Sequence, residues 1–171
     1  MPHFLKEGFI NLSSFCNKTA ERLSTVFTIT FTVITIMQVF TRYVFKLSIP
    51  WPEEVAKYSL VWVAFLSASI LIREFGHVNI IYFVEKIKSK RVRRLIDTAV
   101  YFLISVFALF LLIYGIKQTQ TAMNQRWASI PAFSMAWVYL AAPVGGALML
   151  IQSLQILFAE IEALTKKEGE A

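Results

Sequence analysis

Residues 95–116 read LIDTAVYFLISVFALFLLIYGI, an apolar run with one charge near its start. A helix of that length covers the roughly 30 Å hydrocarbon core of a bilayer. Three further apolar runs occupy residues 23–43, 55–72 and 135–158. They are continuous rather than alternating in hydrophobicity, which indicates helices and not the strands of a barrel. The sequence therefore predicts an all-α integral membrane protein with four transmembrane helices.

The rest of the chain is short connectors and tails. With 57% of its 171 residues hydrophobic, the chain has too little polar surface to cover a soluble globule. We therefore expect a single membrane domain over residues 1–171, with residues 159–171 as a tail. The one cysteine, Cys16, excludes an internal disulfide and fits no metal-binding spacing.

The basic residues are distributed unevenly between the connectors. They concentrate in the connector between the second and third spans and in both terminal segments. Because positively charged loops stay in the cytoplasm, both termini and this connector are expected to be cytoplasmic. Topology thus accounts for the net charge of +6, and no nucleic-acid partner is expected.

Two segments outside the spans have an amphipathic pattern. Residues 78–91 place Ile80, Phe83, Val84 and Ile87 on one face of a helical wheel, opposite a basic, polar face. This pattern predicts an additional helix lying in the membrane interface and contacting lipid. Residues 1–22 form a weaker amphipathic segment. Both patterns are equally typical of helices that bind a partner protein.

The outward corner between the first two spans is rich in charge and aromatic side chains. Pro52 suits the first turn of a helix, where Glu53 and Glu54 lie beside the positive end of the helix dipole. Such a pattern indicates either a charged helix start or, with the nearby Arg42, an ion-pair or docking site. Aromatic residues at both outward loops are expected to anchor the chain at headgroup level: Trp51, Trp127, Trp137 and Tyr139.

Residues that would support catalysis or cofactor binding are not found where they would be needed. The centres of spans one, three and four carry no charge, so the sequence offers no ion pathway. The two histidines, His3 and His77, lie outside the spans, which argues against haem ligation. We therefore expect no enzyme activity, no cofactor and no metal site. His77 is interpreted as a polar residue closing the cytoplasmic end of span two.

The fourth span contains a proline and two glycines, Pro143, Gly145 and Gly146. Residues of this kind permit a kink and the close approach of another helix. The notch that they leave is open either to this chain's other spans or to another protein.

Five motifs in order carry a resemblance to a known family. They are RYVF at 42–45, WPEEVAKY at 51–58, WVAFL at 62–66, REFGHV at 73–78 and SIPAFSMAWVYLAAPVG at 129–145. With these motifs on four spans, the chain resembles the small membrane subunit of TRAP transporters, the DctQ-like family.

The resemblance implies a three-part, Na⁺-coupled importer in the bacterial inner membrane. A periplasmic binding protein would capture an organic anion of the carboxylate or sialic acid class. A large permease subunit would carry the substrate and Na⁺ sites, and this chain would be its scaffold.

Given this resemblance, we hypothesise roles for particular residues. Arg42, Glu53, Glu54 and Arg126 would help form the surface on which the binding protein docks. Further positions would pack against the large subunit or close the cytoplasmic end: Pro143, Gly145 and Gly146 for packing, and Arg73 and His77 for the polar end. Two alternatives stay open, a self-sufficient oligomeric exporter and an assembly factor of an unrelated membrane complex.

Overall fold

The computed structural model describes residues 3–74 and 90–168. Its helices are α1 His3–Tyr43, α2 Trp51–Glu74, α3 Lys90–Thr121, the short α4 Ala136–Tyr139 and α5 Ala141–Glu168, with a 3-10 turn at Ala122–Asn124. Four helical stretches are long and apolar enough to cross a membrane: Ile10–Tyr43, Trp51–Arg73, Leu95–Asn124 and Ala136–Ile161. The predicted all-α membrane protein with four spans is confirmed, and the protein is a multi-pass membrane protein.

Helix α1 is longer than the span predicted from hydropathy. It runs for 41 residues without interruption, about 60 Å at the rise of an α-helix. The amphipathic segment 1–22 therefore continues from His3 directly into the first span. Lys18, Glu21 and Arg22 end the apolar run but are good helix formers, so they mark a change of polarity and not a helix boundary.

The predicted interfacial helix at 78–91 lies outside the described residues, except that residues 90 and 91 belong to α3. His77 also lies outside them. The placement of the termini in the cytoplasm stays a prediction.

The threonines of α1 are satisfied within their own helix. Thr28 Oγ1 donates to the carbonyl oxygen of Ser24 at 2.8 Å, and Thr32 and Thr35 donate in the same way, one turn back. An unpaired hydroxyl in hydrocarbon costs several kcal/mol, so this pairing is what allows so many threonines in a span. These three hydroxyls therefore bond back to their own helix.

The end of α1 is closed by a residue in the left-handed conformation. Lys46 has φ 53°, and the Leu47 amide donates to the Thr41 carbonyl oxygen at 3.2 Å. This bond spans seven residues, one more than the long bond of the Schellman motif, but it likewise closes the helix over a left-handed residue, a position at which glycine is the usual occupant. The chain then turns back towards α2.

The four spans alternate in direction and pack in the order α1, α2, α5, α3. Helices α1 and α3 are the edges, and they do not pack against each other within the described residues. One end of the molecule holds the start of α1 and the end of α5; we call it the termini end. The other holds residues 44–50 and 122–135; we call it the loop end.

The glycines of α5 permit its close contact with both neighbours. A Cβ added at Gly145 would lie 2.7 Å from the Cβ of Phe65 in α2, and one at Gly146 would lie 2.9 Å from the Leu112 backbone nitrogen in α3. On α3, a Cβ at Gly115 would lie 2.8 Å from the Pro143 Cδ. Pro143, Gly145 and Gly146 therefore pack against this chain's own helices. Their assignment to contact with a large subunit stays a prediction.

Interhelical hydrogen bonds join neighbouring helices towards the termini end. Three of them are Ser24 Oγ to Ser67 Oγ at 3.0 Å, Gln152 Nε2 to Asn17 Oδ1 at 3.1 Å, and Ser105 Oγ to Ser153 Oγ at 2.9 Å. They link α1 to α2, α1 to α5 and α3 to α5 respectively. Such polar contacts are worth about 0.6 kcal/mol each on average in membranes, so they specify register more than they stabilise.

Candidate functional site

The loop end brings most of the sequence-predicted site residues together around the first turn of α2. Pro52 is buried there, at a position where its missing N–H costs no helical hydrogen bond. Glu53 and Glu54 follow in the first turn, beside the positive end of the helix dipole. The local sequence thus places the carboxylates of Glu53 and Glu54 together at the loop end.

Glu54 is engaged by the second loop. Its Oε1 accepts a hydrogen bond from the Ala128 amide at 3.1 Å, and its Oε2 accepts one from the Ser129 amide at 2.9 Å. Both carboxylate oxygens therefore bind main-chain donors in a segment that is more than seventy residues away in sequence. Glu54 clamps the loop to α2, which occupies the side chain that was predicted to meet a partner.

The clamped loop is a small folded unit. Arg126 and Ser134 form an antiparallel bridge, the Trp127 amide donates to the Phe133 carbonyl oxygen at 3.1 Å, and the Met135 amide donates to that of Gln125 at 2.9 Å. Its backbone groups are thus paired with one another, as polar groups near a membrane must be. These hydrogen bonds restrain the conformation of the loop.

The side chain of Trp127 packs against other residues of its own chain. Its Nε1 donates to the Ser134 carbonyl oxygen at 3.1 Å, and its ring lies 4.5 Å from that of Tyr58, edge to face. The indole N–H and one side of the half-buried ring of Trp127 are thus used inside the chain, and its role as a headgroup anchor stays a prediction. Trp51 and Trp137 are 39% and 61% exposed, so they are free to contact headgroups, and Tyr139 is half-buried.

Glu53 faces the other side of the α2 start. It forms an ion pair with Lys57 at 2.6 Å, one turn along the same helix, and both side chains are more than half exposed. Arg42, exposed at the end of α1, is close enough for its charge to act on Glu53. Arg42 and Arg126 are both exposed at the loop end.

The predicted polar residues of the termini end are separate from this site. Arg73 Nη2 donates to Ser14 Oγ of α1 at 2.9 Å, so it contacts a neighbouring helix of its own chain. Over residues 3–74 and 90–168, no three histidine, cysteine, aspartate or glutamate side chains come together as metal ligands. A carboxylate-coupled exporter has no support from the geometry, because Glu53 and Glu54 are both engaged at the rim.

Sequence reasoning missed the clamp and its supporting residues. Tyr58 and Ser134 carried no signal that linked them to Glu54, because the contacts join segments far apart in sequence. Ser134 alone offered a hint: its hydroxyl accepts from the Ala136 amide at 3.2 Å, as serines before a helix often do.

Comparison with known proteins gives the family. The profile of the family described as "Tripartite ATP-independent periplasmic transporters, DctQ component" matches residues 31–163. The chain is 30% identical over 141 residues to the sialic acid TRAP transporter permease protein SiaT of Haemophilus influenzae, covering 82% of this chain and 23% of that protein. It therefore spans less than a quarter of SiaT.

Two shorter relatives are small permease proteins. The chain is 27% identical over 122 residues to the sialic acid TRAP transporter small permease protein SiaQ of Vibrio cholerae, with 71% of this chain and 69% of that protein covered. A putative TRAP transporter small permease protein of Haemophilus influenzae is 31% identical over 77 residues, covering 45% of this chain and 48% of its own length. These are components of transporters, not enzymes. The chain belongs to the DctQ-component family of tripartite ATP-independent periplasmic transporters, as a TRAP transporter small permease subunit.

Proposed function

We propose that this chain is the static scaffold of a Na⁺-coupled importer of an organic anion in the bacterial inner membrane. Two findings together support this proposal. The chain belongs to the family, and the centres of its four spans hold no charged side chain in the described residues. A subunit without charges in its spans has no coupling site of its own, so the substrate and Na⁺ sites belong to a partner.

A large permease is the partner that this proposal requires. The match to 23% of the longer SiaT supports it, since the small unit there accompanies a much longer permease chain. Helices α1 and α3 are the free edges on which a second membrane protein could pack. Na⁺ then binds to the large subunit, and this chain holds no cofactor.

The substrate class is an organic acid of the carboxylate or sialic acid type. Support comes from the relatives SiaT and SiaQ, which are named as sialic acid transporters. A periplasmic binding protein would deliver the substrate to the loop end, and both termini would lie in the cytoplasm.

The test is co-purification followed by reconstitution. The tagged chain is extracted from its own host in mild detergent, and the proteins that accompany it are identified by mass spectrometry. We expect a large multi-span permease in near-equal amount. The purified pair in vesicles, with the binding protein, should take up labelled sialic acid or a C4-dicarboxylate only under an inward Na⁺ gradient. A chain that purifies alone would contradict the subunit assignment, and uptake by the chain alone would favour a self-sufficient transporter.

A further inference from the structure

Three buried side-chain oxygens have no hydrogen-bond partner in the part of the chain that the structure describes. They are Ser13 Oγ, Tyr101 Oη and Gln152 Oε1. All three lie in the half of the bundle nearer the termini end. Buried polar atoms in native proteins are almost always paired, either with the protein or with ordered water, because leaving one unpaired costs its full desolvation. Each of these oxygens therefore calls for a partner.

Ser13 and Gln152 lie at the same helix contact, that of α1 with α5. Gln152 Nε2 donates to Asn17 Oδ1 at 3.1 Å. Ser13 lies four residues before Asn17 on α1, so the two side chains lie on one face of the helix, and both are buried. Ser13 Oγ is thus about one helical turn from the amide of Gln152. Tyr101 is separate from this pair, because it belongs to the edge helix α3.

A carboxylate fixes which way both amides point. Asn17 Nδ2 donates to Glu21 Oε1, one turn further along α1. Because a carboxylate oxygen accepts hydrogen bonds and does not donate them, Asn17 must turn its Nδ2 to Glu21 and its Oδ1 to Gln152. Gln152 must then present its Nε2 to Asn17, which leaves Oε1 on the other side of its amide. The unpaired atom of Gln152 is therefore an acceptor, and it needs a donor.

Solvent outside the bundle does not reach these atoms. Ser13 is 0% exposed and Gln152 is 1% exposed. Beside Ser13 in the sequence, the apolar side chains of Leu12 and Phe15 are 50% and 70% exposed. The polar face formed by Ser13 and Asn17 is thus turned towards the neighbouring helices. A donor for Gln152 Oε1 has to be held inside the helix contact.

We infer that an ordered water molecule is bound between α1 and α5, donating a hydrogen bond to Gln152 Oε1 and forming a second one with Ser13 Oγ. Water suits this position because it can donate and accept, and because buried waters in proteins occupy gaps lined by otherwise unpaired polar atoms. The inference goes beyond the proposed function and does not depend on it.

The bound water would extend a chain of aligned hydrogen bonds. Water donates to Gln152, Gln152 donates to Asn17, and Asn17 donates to Glu21. Every donor in this chain points towards the carboxylate, and hydrogen bonds aligned in this way strengthen one another. Beside the direct bond between Gln152 and Asn17, the water supplies a second polar link one turn nearer the start of α1. It thereby ties the amphipathic segment 1–22 to the fourth span.

The direct test is a cryo-electron microscopy map of this chain with its large permease in lipid nanodiscs, at a resolution that shows ordered water. We expect a peak within hydrogen-bond distance of both Gln152 Oε1 and Ser13 Oγ. The absence of a peak, or a direct hydrogen bond between the two side chains, would overturn the inference. A peak with six oxygen ligands at about 2.4 Å would also overturn it, since that is the coordination of a metal ion.

A double-mutant cycle on the purified chain in detergent tests the bridge without a map. Ser13→Ala should lower the melting temperature by about 2–4 °C. Gln152→Met removes the amide oxygen at similar side-chain length, so the water loses one of its two partners. In that background we expect Ser13→Ala to lower the melting temperature by less than half as much, because the bridge is already broken.

Ser24→Ala is the matched control. Ser24 is also buried on α1, but its hydroxyl is bonded directly to that of Ser67 at 3.0 Å. Its effect on the melting temperature should be the same with and without Gln152→Met. Additive effects of Ser13→Ala and Gln152→Met, or equal coupling of Gln152→Met to Ser24→Ala, would contradict a water bridge. None of these outcomes bears on the subunit assignment.

Discussion

At the scale of single residues, Lys46 shows how much one backbone angle constrains the loop end. Its φ of 53° costs a side-chain-bearing residue about 1–2 kcal/mol relative to the usual right-handed conformation. Glycine would avoid that cost but would lose more chain entropy on folding.

The first prediction concerns this residue. Lys46→Gly is expected to stabilise the protein by about 0.5–1 kcal/mol, because glycine adopts the left-handed conformation without a steric penalty. Lys46→Val should destabilise it by about 1–2 kcal/mol, since a β-branched side chain is strained there. Thermal unfolding of the purified protein measures both. Equal melting temperatures for the two variants would show that the cap is not strained.

Glu54 gives a second prediction at the same scale. Removing its carboxylate in Glu54→Ala leaves the amides of Ala128 and Ser129 without their acceptor and should cost about 1–3 kcal/mol. Glu53→Ala is the control, one residue away, and should cost less than about 0.5 kcal/mol because its pair with Lys57 is exposed. Protease cleavage between residues 125 and 135 should rise in Glu54→Ala alone. Similar stability of the two variants would contradict the clamp.

At the scale of helices, α5 is the element that holds the fold together. It packs against α2 through Gly145 and against α3 through Gly146, while Pro143 contacts Gly115 of α3. In lipid, helices gain little from burying apolar surface, so close backbone contact supplies much of the attraction. Small residues at these positions are therefore a requirement of this chain's own fold.

The third prediction tests that requirement. Gly145→Leu and Gly146→Leu should each lower stability by about 1–3 kcal/mol or more, because even the Cβ would overlap atoms in the neighbouring helix. Val144→Leu is the matched control, since Val144 lies between Pro143 and Gly145 and is 36% exposed. Melting temperature in detergent should fall in the glycine variants before any permease is added. A loss seen only in the assembled complex would return the notch to the partner interface.

Hydropathy located the helices, but it did not indicate which helices contact each other. Apolar runs of about 20 residues are a strong signal, and all four spans were located in this way. The same signal does not say which helix a glycine contacts, so the sequence left the notch open to this chain's own spans or to another protein. The continuity of the amphipathic segment 1–22 with the first span was not predicted, because hydropathy reports polarity and not helix boundaries.

The candidate site, too, was predicted from the sequence only in part. The first turn of α2 was predicted from Pro52, Glu53 and Glu54, because those signals are local. The clamp was not, since it joins Glu54 to amides 74 and 75 residues away. Charge pattern identified which residues lie at the loop end. Only three-dimensional contacts showed that both carboxylates are engaged.

At the scale of the whole molecule, the alternating helices place both connectors, 44–50 and 122–135, at one end. The fourth prediction is that this end faces the periplasm. In a Cys16→Ser background, cysteines at Ala128 and, separately, at Lys166 are treated with a membrane-impermeant maleimide in spheroplasts. Ala128→Cys should be labelled, and Lys166→Cys only after the membrane is broken. The reverse pattern would invert the predicted topology.

The order α1, α2, α5, α3 has a consequence for what can pass through the protein. Because the two edge helices do not close on each other in the described residues, the spans do not form a ring, and so enclose no lumen. A hydrated anion crossing the bilayer needs polar walls on all sides. This chain can supply at most one wall of such a passage.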